Sequence, residues 1–275
     1  MVEVEASKLK TPRKITAVDA LGRVRLISPR LRENVETADV SSILLNAANE
    51  TIPKGLKGVY TPFERAFLGG QNALALKLAM DLARIFDLSQ GKNAYPAEEQ
   101  TKASIPVLAA LLRRPGVQDG LLLDAAKWIA GIKVGYPAGS PPPEVLKDVE
   151  EGYGSRFSDD CQKAITDFLA LAQGLEVRDS EENAAFVRIR QFRDFRLAHS
   201  LFDNEPDALP IYADLDLLLS IAKEATKHAS FAVEGLNVGF DDMAQEDRKN
   251  ADDYYACVLD GLKRAARRTP RGAGG

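Results

Sequence analysis

The sequence predicts an all-α protein, and three observations carry that prediction. Seven to nine segments place apolar residues three and four positions apart, the period of one helix face. Alternating apolar and polar runs bounded by hairpin signals such as Asn-Gly are nearly absent. Helix start and stop residues stand at the ends of several of the periodic segments.

Taken in order, Thr61-Pro62-Phe63-Glu64 joins an N-cap, a proline at the first helical position and a glutamate three residues after the cap. It opens a helix towards Phe86 that Gly69-Gly70 is expected to kink or interrupt. Ser104-Ile105-Pro106 starts a short apolar helix to Leu112, and Asp119 to Ile132, with the single Trp128, forms the next. Gly, Pro, Ser and Ala dominate between Gly135 and Pro143, which marks a loop. Ser158 to Leu171, closed by Gly174, and Ser180 to about Phe202, closed by Asp203-Asn204-Glu205-Pro206, read as consecutive antiparallel helices. One apolar stripe runs through Leu215, Leu218, Ala222, Ala225, Ala229 and Val233. Another takes in Ala251, Tyr254 or Tyr255, Val258 and Leu262. The domain division expected is an N-terminal extension over 1–30, a helical domain over 31–268 and a disordered tail over 269–275.

Composition narrows the function classes. With 36 basic and 40 acidic residues the net charge is 36 − 40 = −4, and 45% of the 275 residues are hydrophobic, which excludes disorder over most of the chain. No run of about 18 apolar residues occurs, and the N-terminus lacks the apolar stretch of an export signal, so a cytoplasmic protein without a membrane span is expected. Cys161 and Cys257 stand far apart and are expected as reduced thiols. Neither a glycine-rich phosphate loop nor a GxSxG elbow is present, and Asp241-Asp242, Glu246-Asp247 and Asp252-Asp253 fit a solvated helix face better than a metal cage. No metal and no cofactor are expected.

Only two histidines, His199 and His228, are available for proton transfer at neutral pH. His228 lies in an alanine-rich amphipathic helix with no motif around it and reads as a surface or packing residue. His199 ends the run Arg188-Ile189-Arg190-Gln191-Phe192-Arg193-Asp194-Phe195-Arg196-Leu197-Ala198-His199, the most basic patch inside any expected helix. On an ideal helix Arg193, Arg196 and His199 fan across about 120° of one side. Guanidinium forks suit phosphate oxygens, and a neutral imidazole accepts a proton. Together they suit attack by a ribose 2′-hydroxyl on its own phosphate, with no metal required. The competing reading is a solvated basic face paired with Glu181, Glu182 and Asp194. Phe192 and Phe195 read as core residues before base-stacking ones.

The segment Phe192-Arg193-Asp194-Phe195-Arg196-Leu197-Ala198-His199-Ser200 resembles the signature of the HEPN superfamily of helical ribonucleases: arginine, a polar residue, then histidine after a short spacer, with Ala198 directly before His199. Leu82-Ala83-Arg84-Ile85-Phe86-Asp87 and Ser104-Ile105-Pro106 make it similar to the abortive-infection AbiU-type branch, over about residues 60–235. The resemblance implies an up-and-down helical bundle that dimerises with two such motifs facing one cleft, and the fold expected for this chain is such a bundle with additional N-terminal helices. It assigns catalysis to Arg193 and His199, with Asp194 as the polar helper. Six residues separate Arg193 from His199 by about 9 Å along a helix, and a two-fold dimer would relieve that separation.

The activity implied is a metal-independent endoribonuclease of toxin or abortive-infection type, leaving a 2′,3′-cyclic phosphate, with Arg188, Arg190 and Arg196 on the RNA backbone. The partners implied are RNA, a second copy of the chain and a nucleotidyltransferase-like antitoxin. An alternative keeps the same fold as a non-catalytic helical dimer or adaptor that binds a protein, RNA or nucleotide through its basic helix. A weaker idea places nucleic-acid contacts on Lys263, Arg264, Arg267, Arg268 and Arg271.

Overall fold

The computed structural model describes residues 15–57, 63–89, 94–128, 143–198 and 210–268, giving the backbone alone for 143–146, 150 and 195–198. Among them are eight α-helices and no strand, so the all-α expectation holds. The helices are α1 (Ala17–Gly55), α2 (Glu64–Ile85), α3 (Ile105–Leu112), α4 (Val117–Ala125), α5 (Pro143–Gly174), α6 (Glu181–Ala198), α7 (Tyr212–Glu234) and α8 (Phe240–Arg268).

The spine of the bundle is α1, whose 39 residues span about 58 Å at 1.5 Å per residue. It starts where the Thr16 hydroxyl accepts the Asp19 N–H at 3.1 Å. Its apolar positions Ala20, Val24, Ile27, Leu31, Val35 and Ala38 recur three and four apart and are buried. They face one large core shared with α2, α3, α4, α5, α6 and α7. Further along, Ile43, Ala47, Ala48 and Ile52 turn to a second, smaller cluster with Ala251 and Tyr255 of α8 and Phe67 of α2. The sequence reading expected additional N-terminal helices without placing them, and α1 is the helix found there. Densely interleaved charges and Pro29 obscure the bounds of the α1 stripe, and the boundary expected between residues 30 and 31 lies inside this helix.

Other boundaries also move. α2 runs unbroken through Gly69 and Gly70; both are exposed, a Cβ added at either would meet no other part of the chain within 4 Å, and the helix simply continues. Thr61 and Pro62 lie outside the described residues. α5 begins 15 residues before Ser158; Lys147, Asp148 and Glu151 are exposed there, with Lys147 and Glu151 paired at 3.8 Å, and Val149 and Tyr153 are exposed beside them, so no buried stripe runs from Lys147 to Tyr153 among the described side chains. α4 ends at Ala125, well short of Ile132, because the chain turns to seat Trp128 against Phe157 and Phe231 at ring separations of 6.0 and 5.6 Å. The loop expected between Gly135 and Pro143 lies, up to residue 142, outside the described residues, as do 199–209 and 269–275.

Ion pairs tie α7 across the spine: Lys223 to Asp39 at 2.9 Å, and Arg32 to Glu234 at 3.0 Å with Ser28 donating to the same carboxylate. α7 ends at Gly235, whose φ of +68° continues the chain in the left-handed region open to glycine.

Candidate active site on α6

Ser180 opens α6 by accepting the Asn183 N–H on its hydroxyl at 3.0 Å, as its sequence position predicts. Ala185, Ile189 and Phe192 form the buried stripe, which puts Phe192 in the core. Phe186 meets Phe86 edge to face at 6.1 Å and seats α6 against the end of α2. Arg190 lies over the Phe186 ring at 5.3 Å, one helical turn on.

Arg193 emerges beside the segment that leaves α2. Its Nη1 donates to Asp87 Oδ1, while Nε and Nη2 donate to Asp194 Oδ1 at 2.9 and 2.6 Å. Burial alone would lower the Arg193 pKa, but the hydrogen bond to Asp194 and the charges of Asp87 and Asp194 raise it above the ordinary value. The other oxygen of Asp87 pairs with Lys102 at 2.7 Å. The Asp87 carbonyl accepts the hydroxyl of fully buried Ser104 at 2.6 Å, so the carboxylate stands on a backbone held at both ends of the linker. The result is an alternating row of charges, Lys102, Asp87, Arg193 and Asp194, at the rim of the core.

Arg188 has a different setting. Its Nε and Nη2 form a bidentate pair with Asp214 at 2.8 and 2.5 Å. Asp214 is 3% exposed and also accepts the Ile211 N–H at 2.9 Å, reaching back over the first turn of α7. The hydrogen bond from Arg188, with that N–H, holds the Asp214 carboxyl below the usual range. Arg188 therefore links α6 to α7.

Of the expected site residues, Arg188, Arg190, Arg193 and Asp194 thus share α6, and Arg193 and Asp194 are in direct contact. The Arg196 side chain and all of His199 lie outside the described residues. His228 is half-buried on α7, lining a groove with Asp167, Leu171, Ile221 and Glu224. Sequence reasoning missed Asp87 as the partner of Arg193 and Lys102 as the second cation on that carboxylate. Asp87 stood in the quoted Leu82–Asp87 run, but its partner is 106 residues away and no local pattern announces it.

A family model described as AbiU2, of the HEPN group, matches residues 29–254. The chain belongs to this family. The AbiU2 match takes in both sides of the Asp87–Arg193 contact and begins 31 residues before the span of about 60–235 on which the resemblance was read, since 60 − 29 = 31. It therefore includes most of α1, so the spine of the bundle is part of the AbiU2 fold. No curated protein and no solved structure matches the chain. Among the described residues no helix is long and apolar enough to cross a membrane.

Proposed function

We propose that this AbiU2-family protein is a metal-independent endoribonuclease of toxin or abortive-infection type, working as a cytoplasmic homodimer. The observation that carries the reading is the conjunction of family membership with the arginine-polar-histidine order of the sequence, whose Arg193 lies on α6 and is held by directed hydrogen bonds at the rim of the core. In the proposed reaction His199 takes the proton from a ribose 2′-hydroxyl. The oxygen attacks the adjacent phosphorus, the 5′-oxygen leaves, and a 2′,3′-cyclic phosphate remains. Arg193 stabilises the charge that develops on the phosphorane oxygens, and Asp194 keeps its guanidinium oriented. Arg190 and Arg196 hold the RNA backbone, joined by Arg188 through whatever part of its guanidinium Asp214 does not engage. In a dimer the second histidine protonates the leaving oxygen. A nucleotidyltransferase-like antitoxin is the partner expected to restrain such an enzyme.

The test compares purified wild type with His199→Ala on defined RNAs in EDTA, with the cleavage ends analysed. Cleavage by wild type alone, with cyclic phosphate ends, is the expected result. Equal cleavage by both proteins removes His199 from the mechanism.

A second reading, a non-catalytic helical module that binds a partner, draws on the pairing of Arg188 and Arg193 with carboxylates of the same chain. It gains if neither protein cuts a broad set of RNAs while wild type is folded and dimeric.

A further inference from the structure

Asp87 presents its two carboxylate oxygens to two different cations. Oδ1 receives Arg193 and Oδ2 receives Lys102 at 2.7 Å. A phosphodiester presents two non-bridging oxygens at a similar spacing and with the same charge, and arginine with lysine is a common pair of phosphate ligands. The three side chains retain 17%, 22% and 30% of their exposure for Arg193, Asp87 and Lys102, so an anion from solvent reaches the cluster without opening the core. Asp87 also sits in the linker after α2, where a rotation of its side chain leaves the Ser104 bond to its carbonyl in place.

We infer that Asp87 is an internal anion occupying the phosphate position of the site, and that Lys102 is a further phosphate ligand, binding the nucleic-acid backbone jointly with Arg193 once the Asp87 carboxylate swings aside. This deepens the ribonuclease reading and rests on its claim that α6 binds a phosphodiester. With Asp87 in place the row Lys102, Asp87, Arg193 and Asp194 sums to zero charge. With a phosphate in its place the same cations bind substrate. The exchange explains how a chain of net charge −4 keeps its arginines from holding stray polyanions while retaining a site for one. Asp87 acts as a specificity element that a weakly held anion does not displace and a multiply anchored RNA strand does.

The test reads binding of a labelled single-stranded oligodeoxynucleotide to the full chain by fluorescence anisotropy at low and moderate salt. This probe has no 2′-hydroxyl, so the result is independent of cleavage. Asp87→Asn is expected to tighten binding about three- to tenfold. Its log–log salt dependence should steepen by about 0.7, as for one more neutralised phosphate. Lys102→Gln weakens binding at least about threefold, whereas Lys147→Gln, an exposed charge on α5, leaves it unchanged. In the Asp87→Asn background Lys102→Gln still weakens binding, which separates a direct phosphate contact from an effect relayed through Asp87. Unchanged or weaker binding by folded Asp87→Asn overturns the inference and makes Asp87 a positioning residue for Arg193. If Asp87→Asn does not fold, Lys102→Gln alone decides, and wild-type binding by that variant overturns it. Absence of binding by every variant at low salt overturns it as well. Loss of the ribonuclease reading, seen as equal RNA cleavage by wild type and His199→Ala, leaves these binding differences standing.

Discussion

Arg193 and Asp87 lie 106 residues apart in the chain and form an ion pair that joins α6 to the segment leaving α2. The pair forms because Phe86, the residue before Asp87, is fully buried against Phe186, two turns before Arg193. Apolar packing sets the distance, and the charged groups then find one another at the rim.

Arg193→Lys tests what that geometry requires. A lysine is one point charge and cannot direct separate N–H groups at Asp87 and Asp194. Cleavage by the variant is expected to fall at least about 100-fold, the scale of losing one transition-state donor. Because the group is partly exposed, unfolding free energy should change by no more than about 1 kcal/mol. Parallel cleavage assays and urea titrations measure both.

The Arg188–Asp214 pair is the stability counterpart. Asp214→Ala removes the partner of Arg188 and the acceptor for the Ile211 N–H together, and is expected to cost about 1–3 kcal/mol.

Because the folded-state pKa of Asp214 is depressed, its contribution is fully present above the unfolded carboxyl value of about 3.9 and is lost as pH falls through the folded value. Denaturant titrations between about pH 2 and pH 6 should show this loss in wild type and a flatter profile in Asp214→Asn. Identical profiles for the two proteins would contradict the assignment.

Two glycines of α5 predict effects of opposite sign. A Cβ at Gly152 meets nothing within 4 Å, so Gly152→Ala should stabilise by up to about 1 kcal/mol through helix propensity. A Cβ at Gly154 would stand 2.9 Å from the Ala126 carbonyl oxygen, a backbone atom, where α5 passes the end of α4. Gly154→Ala should therefore destabilise by about 1–3 kcal/mol despite its better propensity. Thermal unfolding of both variants beside wild type checks the pair.

The two thiols should differ in reactivity. Cys161 is buried, donates to the Ala232 carbonyl at 3.3 Å, and is pushed up to about 11 by burial, with Asp124 adding to the shift. Cys257 is exposed on α8. Iodoacetamide at pH 8 should label one thiol per native chain, mapping to Cys257, and the second only in denaturant. Rapid labelling of Cys161 in the native protein would contradict the buried setting.

Much of the helix content was legible in the chain. α3 has both of its ends where Ser104-Ile105-Pro106 and Leu112 place them, and the α7 stripe from Leu215 to Val233 is buried as its spacing requires. These segments carry uninterrupted apolar periodicity, which is a local property. N-terminal helices were expected, but the bounds of α1 were not read although its apolar period is regular, because charged residues fill the intervening positions and Pro29 reads as a break. A proline inside a long helix is tolerated when packing on several neighbours holds the axis, and α1 contacts α2, α3, α4, α7 and α8. The early start of α5 was not read, because Lys147, Asp148, Glu150 and Glu151 crowd its first turns and Gly152 and Gly154, poor helix formers, follow them.

By itself the sequence determined that this protein is helical, that four arginines fall within the nine residues 188–196 just before His199, and that its motif is similar to that of a HEPN ribonuclease. Those properties reside in residue type and in spacing within a few turns. Only the tertiary structure decided that Arg188 is held by Asp214 while Arg193 meets Asp87 and, through it, Lys102. Charge pairing between distant segments follows from which apolar faces pack together, and that packing is a property of the whole bundle. The row of alternating charges beside α6 therefore comes into existence only when the bundle closes.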